Sequence, residues 1–260
     1  MSKQKCVYFL SDSHLGSKCC PQDAADKFLS LLYSIQESAS GIYLVGDIFD
    51  FWIDYNSLIR SEFIDILHAL RTLNKNGVDI HYIKGNHDFS LGKHFREITG
   101  CYLHQGRVIT EIQGQKVIIE HGNGFLRKQG KDNLLLKILE NPAAQWCYKL
   151  IPPGIGISIA QYISGLSRDA SFTGISPEER KMYIEQAGET LSDKGADIII
   201  LGHTHYPEIY RLYNSGTYMN IGDMCENLTY GRICSGKAEL LHYNGDVITP
   251  QPCHCPADHP

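Results

Sequence analysis

The chain has 260 residues, of which 43% are hydrophobic and 20% charged, and its formal net charge is −5. That length suits one large layered α/β domain, and the composition is that of a soluble globular protein. The acidic balance argues against a general nucleic-acid binder, which needs a basic surface to displace counterions, and no run approaches the roughly 20 apolar residues of a membrane span.

Met1 to Lys5 lead directly into Cys6–Leu10, a buried-strand pattern too brief for a secretory leader, so a cytoplasmic location is expected. A helix is predicted over about Asp23–Gln36, with Phe28, Leu31, Leu32 and Ile35 on its apolar face. Ile42–Val45 is the next strand. Ile59, Phe63, Ile66, Leu67, Leu70 and Leu73 mark a second amphipathic helix, stopped by Gly77, and Asp79–Ile83 forms a third strand. This βαβαβ order implies a parallel core with helices outside it. Val108–Ile112 and Lys116–Glu120 flank a hairpin turn. Further strands are predicted at Ile198–Leu201, Glu208–Leu212, Tyr218–Ile221 and Lys237–Tyr243. Two packed sheets between helical layers account for this order.

Between Gly122 and Gly202 lies a helical stretch that the sheets do not need, with Leu134–Leu139 and Ile155–Leu166 as its apolar runs. We read 122–196 as a cap inserted between two halves of a core, 1–121 and 197–247, followed by a disordered tail at 248–260. The nine cysteines form no evident framework, so reduced thiols are expected, and Cys253 and Cys255 fall in the tail.

Five segments carry chemistry. They are Asp12-Ser13-His14, Gly46-Asp47-Ile48-Phe49-Asp50, Gly85-Asn86-His87-Asp88, His121-Gly122-Asn123 and Gly202-His203-Thr204-His205. Asp12, Asp47 and Asn86 each follow a predicted strand, where α/β proteins place ligands. Together the segments supply two Asp, one Asn and four His for metal binding, enough for two divalent cations sharing one carboxylate. Oxygen and imidazole donors suit Mn²⁺, Zn²⁺ or Fe²⁺. His68, His81, His94, His104 and His242 match no motif and are expected to be surface or satisfied core residues.

In these five segments, and in their order, the chain resembles the calcineurin-like metallophosphoesterases. The resemblance implies a four-layer αββα sandwich with an inserted helical cap. It places Asp12, His14, Asp47 and His205 on one metal, with Mn²⁺ favoured, and Asp47, Asn86, His121 and His203 on the other. A bridging water of lowered pKa would attack phosphorus in line. It also implies that His87 faces substrate as a proton donor, that Asp50 orients His87, and that Asp88 supports the loop.

The segments Tyr8–Gly16 and Gly46–Trp52, with Gly85–Phe89, Asn220–Asp223 and Thr229-Tyr230, are similar to UDP-2,3-diacylglucosamine diphosphatases of lipid A synthesis. That similarity implies a glycolipid diphosphate substrate, acyl chains lodged in the cap, and peripheral contact with the inner membrane. Arg127, Lys128, Lys131 and Arg168 would meet the diphosphate or anionic lipid. His87 stands where many of these enzymes carry Arg, Asn123 where Asp is usual, and Met224 where Trp is usual. The competing expectations are a phosphodiesterase or phosphatase of a soluble nucleotide, and a non-catalytic binding module.

Overall fold

The computed structural model describes residues 5–18, 20–55, 58–88, 91–126, 141, 147–148, 150–160, 175–212 and 216–252. Its helices are α1 (Ala24–Ile35), α2 (Ile64–Lys75), α3 (Lys93–Thr99) and α4 (Pro177–Lys194), together with helical residues 153–160. The strands run β1 (Cys6–Leu10), β2 (Ala39–Leu44), β3 (Asp79–Ile83), β4 (Tyr102–His104), β5 (Val108–Ile112), β6 (Gln115–Ile119) and β7 (Ile198–Leu201). They continue through β8 (Glu208–Arg211), β9 (Thr217–Asn220), β10 (Thr229–Cys234), β11 (Lys237–His242), β12 (Val247–Ile248) and β13 (Gln251–Pro252).

Two sheets result. One has the order β12-β11-β10-β1-β2-β3-β4 and the other β13-β8-β9-β7-β6-β5. Parallel pairing links β1 to β2, β2 to β3 and β3 to β4, while β10 joins β1 antiparallel. In the second sheet β6, β7 and β9 are parallel neighbours.

Side-chain alternation explains the layering. Tyr8 and Leu10 of β1 face outward to α1 and α2, meeting Phe28, Leu32, Leu67 and Leu70. Val7 and Phe9 point the other way, into a core between the sheets with Val117, Ile119, Ile198, Ile200 and Ile221. Ile118, Ile199 and Leu201 then face out again, against Tyr183, Ile184, Ala187 and Leu191 of α4. Helix, sheet, sheet and helix therefore stack in four layers, as expected. Each fully buried Leu, Ile or Phe contributes about 1.5–3 kcal/mol to that packing.

Several elements depart from the sequence reading. Strand β10 was not expected, because Gly231 and Arg232 interrupt its apolar pattern. Gly231 is needed there: a Cβ would lie 2.9 Å from Ile221 and 3.1 Å from Met219 of the facing sheet. α3 and β4 were likewise unexpected. α4 falls within the stretch read as a cap, yet it covers the second sheet. Residues 251–252 of the expected tail pair with β8. Cysteines expected to be independent thiols are joined as Cys6–Cys234 and Cys20–Cys225, pairs separated by 228 and 205 positions, so proximity in sequence gave no sign of them. Arg127, Lys128, Lys131, Arg168, Cys253, Cys255 and most of the cap's apolar runs lie outside the described residues.

Candidate metal centre

The parallel strands deliver their C-terminal ends to one place. Asp12 and His14 follow β1, Asp47 and Asp50 follow β2, and Asn86 and His87 follow β3. From the other sheet, His121 follows β6, and His203 and His205 follow β7. Asp12, Asp47, His14, His87 and His121 are buried.

Their atoms converge. The Asp12 Oδ1 oxygen lies 3.5 Å from His205 Nε2, 3.8 Å from His14 Nε2 and 4.0 Å from His121 Nε2. His121 Nε2 lies 3.2 Å from both Asp47 Oδ2 and Asn86 Oδ1. Ligand atoms of Asp12, His14 and His205 fall within 4.8 Å of one another, as do those of Asp12, Asp47 and His121. His203 joins less directly, its ring centred 5.1 Å from that of His121.

The backbone is bent to achieve this. Asp12, His14, Asp47, His203 and His205 all have positive φ, between 40° and 69°. Such conformations disfavour side chains other than glycine and cluster at functional sites. The motif glycines are there to let atoms approach. A Cβ on Gly85 would sit 2.2 Å from Asp47 Oδ1, and one on Gly202 only 2.1 Å from Ser11 Oγ and 2.6 Å from Asp12 Oδ2.

Supporting groups set orientation. His121 Nδ1–H donates to the Val45 carbonyl at 2.8 Å, which turns Nε2 toward the carboxylates. Asp12 Oδ2 accepts the His203 N–H at 2.8 Å and the Ser11 hydroxyl. Asp88 accepts from the Asp47 N–H, the Gly85 N–H and the Tyr82 hydroxyl at 2.8–3.0 Å, which ties two motifs together. His87 N–H donates to Asp47 Oδ1, and His87 Nδ1–H donates to the backbone carbonyl of Asp50 at 2.9 Å. The main-chain carbonyl of Asp50 thus accepts from His87, and its carboxylate lies within 4.8 Å of ring nitrogens of both His87 and His14.

Two of these partners escaped the sequence reading as site residues. Asp223 Oδ2 lies 3.9 Å from His205 Nδ1, and Asn227 donates to the His205 carbonyl at 2.8 Å. Asp223 itself accepts three backbone N–H groups, from Cys225, Glu226 and Asn227. The Gly222-Asp223 step at a strand end was the one available signal. Of the noted departures, Asn123 is exposed in a turn. Met224 is fully buried in the outer core, and its N–H donates to the Ser11 carbonyl.

Burial and mutual charge shift the protonation of these groups against one another. Burial opposes ionisation of Asp47, yet the imidazoles of His121, His87 and His14 outweigh it and hold the carboxyl well below its usual range. Burial dominates at Asp12 and raises it despite His121 and His205. His121 is disfavoured as a cation by burial, but Asp47 and Asp12 push it up to about 10. Burial and the neighbouring His121 bring His203 down to about 3. Burial, then the charge of Asp47, lifts Asp88 to about 6.

The donor set fits divalent metals. Asp12 Oδ1 is buried and accepts no hydrogen bond among the described residues, although three imidazole nitrogens surround it. His14 Nε2 and His205 Nε2 face each other at 3.3 Å. A shared cation would satisfy this buried carboxylate oxygen and the two facing imidazole nitrogens together.

Strand-end carboxylates and imidazoles on a two-sheet sandwich define a metallophosphoesterase, and the sequence profile of the calcineurin-like phosphoesterases matches residues 7–207. The chain belongs to that family. It is 31% identical over 216 residues to a UDP-2,3-diacylglucosamine hydrolase of Blochmanniella pennsylvanica, covering 80% of this chain and 82% of the relative. Proteins of the same name from Tolumonas auensis and Vibrio atlanticus are 30% and 29% identical. The Tolumonas match spans 90% of this chain and 95% of the relative, and the Vibrio match 78% and 82%.

Proposed function

We propose that the chain hydrolyses the diphosphate of UDP-2,3-diacylglucosamine, giving UMP and 2,3-diacylglucosamine 1-phosphate with one water consumed. The observation that carries this reading is exposed apolar surface on the segment inserted between His121 and His203. Phe51, Trp52, Tyr55, Ile59, Arg60, Phe63 and Ile157 line a small cavity of about 20 Å³, starting at the residue next to Asp50. Leu150, in the turn before helical residues 153–160, and Ile155 and Ile159 within them expose apolar side chains. A diacyl sugar needs exposed apolar surface of this kind, since each buried methylene contributes about 0.8 kcal/mol. The names of the relatives point to the same substrate.

In this reading Asp12, His14, Asp47 and His205 hold one cation, with Asn86, His121, His203 and the shared Asp47 holding the second; Mn²⁺ is favoured. When bound, the two cations polarise the phosphate and acidify a water. Asn86 contributes a neutral oxygen, which adds no charge to repel an anionic substrate. His87, with Nδ1–H committed to the Asp50 carbonyl, would pass a proton from Nε2 to the departing phosphate oxygen. Arg127, Lys128 and Arg168 would meet the diphosphate. The cap inserted within 122–196 would rest its apolar surface on the cytoplasmic leaflet of the inner membrane.

The test is UMP release from UDP-2,3-diacylglucosamine by the Mn²⁺-loaded protein, with a chelated control. Chelator-sensitive UMP formation is expected. Cleavage of an aryl phosphodiester with that glycolipid untouched would move the reading to soluble phosphoesters.

A further inference from the structure

Cys20 lies six residues beyond His14, on the segment leaving β1, and its Sγ is 3.3 Å from the Ser13 carbonyl. Cys225 lies on the loop leaving β9. Its N–H donates to Asp223 Oδ1 at 2.9 Å, and the preceding Met224 N–H donates to the Ser11 carbonyl. The two cysteines are joined with their Cα atoms 5.7 Å apart, inside the range a disulfide spans. One end of this tie thus holds the loop carrying Asp12 and His14. The other holds the Asp223–Asn227 turn, in which Asn227 donates to the His205 carbonyl and the Asp223 carboxylate lies 3.9 Å from His205 Nδ1. Cys6–Cys234 differs, because Cys6 opens β1, at the end of the strand away from the centre.

We infer that Cys20 and Cys225 are a redox-sensitive pair whose disulfide braces the metal centre, holding His205 against Asp12 and His14. The inference rests on the metal centre of the proposed reading but not on its substrate. The oxidant class is a low-molecular-weight disulfide, RSSR. Cys20 is half-buried and Cys225 buried, so the Cys20 thiolate attacks first, forming a mixed disulfide and releasing one RS⁻. The Cys225 thiolate then attacks Cys20 Sγ and displaces the second RS⁻. The chain loses two protons and two electrons, and RSSR leaves as two RSH. A dithiol reverses the exchange.

The test uses the full chain loaded with two equivalents of Mn²⁺ and equilibrated with either oxidised glutathione or dithiothreitol. Non-reducing peptide mapping identifies the bond, and transfer of Mn²⁺ to excess chelator reports the brace. A Cys20–Cys225 cross-link is expected in the oxidised protein, with metal release slower by roughly tenfold. Cys20→Ser and Cys225→Ser should each release metal at the reduced-state rate under both conditions, while Cys6→Ser keeps the difference. Equal release rates in the two states, or a response that follows Cys6, would overturn the brace. Failure to bind Mn²⁺ in either state would overturn the metal centre itself.

Discussion

Asp12, His14, Asp47, His203 and His205 share a left-handed backbone, a conformation that costs on the order of 1 kcal/mol or more for each such residue. The side chains that converge on the centre are thus held there by the chain's path as well as by their rotamers. His87 is different: the proposed mechanism gives it a proton to pass on rather than a metal to hold. His87→Ala is expected to lower turnover by about 10²–10⁴ while both metals stay bound, measured as initial rate alongside metal content. Loss of metal instead would make His87 a ligand. Asp223 acts through His205, so Asp223→Ala should weaken Mn²⁺ binding by roughly tenfold with the circular dichroism spectrum intact. An unchanged titration would leave Asp223 as a loop cap alone. The convergence of Asp12, Asp47, Asn86 and the four histidines was legible because short motifs place them at strand ends. Asp223, the Val45 carbonyl and the Asp50 carbonyl were not, because two act through the main chain and the third reaches His205 from 18 positions away.

Among the elements, β4 is an edge strand pinned to β3 by an imidazole pair. His81 Nδ1 and His104 Nε2 lie 3.0 Å apart, with His81 stacked between Tyr43 and Tyr102. Burial, then His104, lowers the pKa of His81, and burial lowers that of His104. Both are therefore neutral in the fold when the unfolded chain begins to take up protons near pH 6.5. Their contribution is complete above that pH and is lost as pH falls toward the depressed folded values. Thermal midpoints should drop more steeply below pH 6.5 in the native chain than in a His81→Phe/His104→Gln double variant. Parallel curves would assign the acid response elsewhere. The β1-α1-β2-α2-β3 run was readable because its apolar periods are clean. α4 was obscured by its charged sequence, though Ser176-Pro177-Glu178-Glu179 forms a capping box that marks its start. Its packing partner could not be read, since only the folded second sheet supplies the face for Tyr183, Ala187 and Leu191.

At the scale of the whole molecule, α4 is anchored by Arg180, which donates to Glu208 Oε2 at 2.8 Å and covers the Tyr206 ring. Glu208 is buried, so Arg180→Ala should destabilise by about 3 kcal/mol in urea, with the Tyr218 hydroxyl still offering partial compensation. A change near zero would show that water replaces the guanidinium. The sheets meet across a largely apolar core, and at one end of it the centre draws Asp12, Asp47 and Asn86 from one sheet and His121, His203 and His205 from the other. Cations there would act as a rivet through both sheets. The thermal midpoint then becomes a gauge of free metal, rising with each tenfold increase in concentration as binding to the native state alone requires. A cell that starves this protein of metal would therefore lose the molecule to unfolding as well as its turnover.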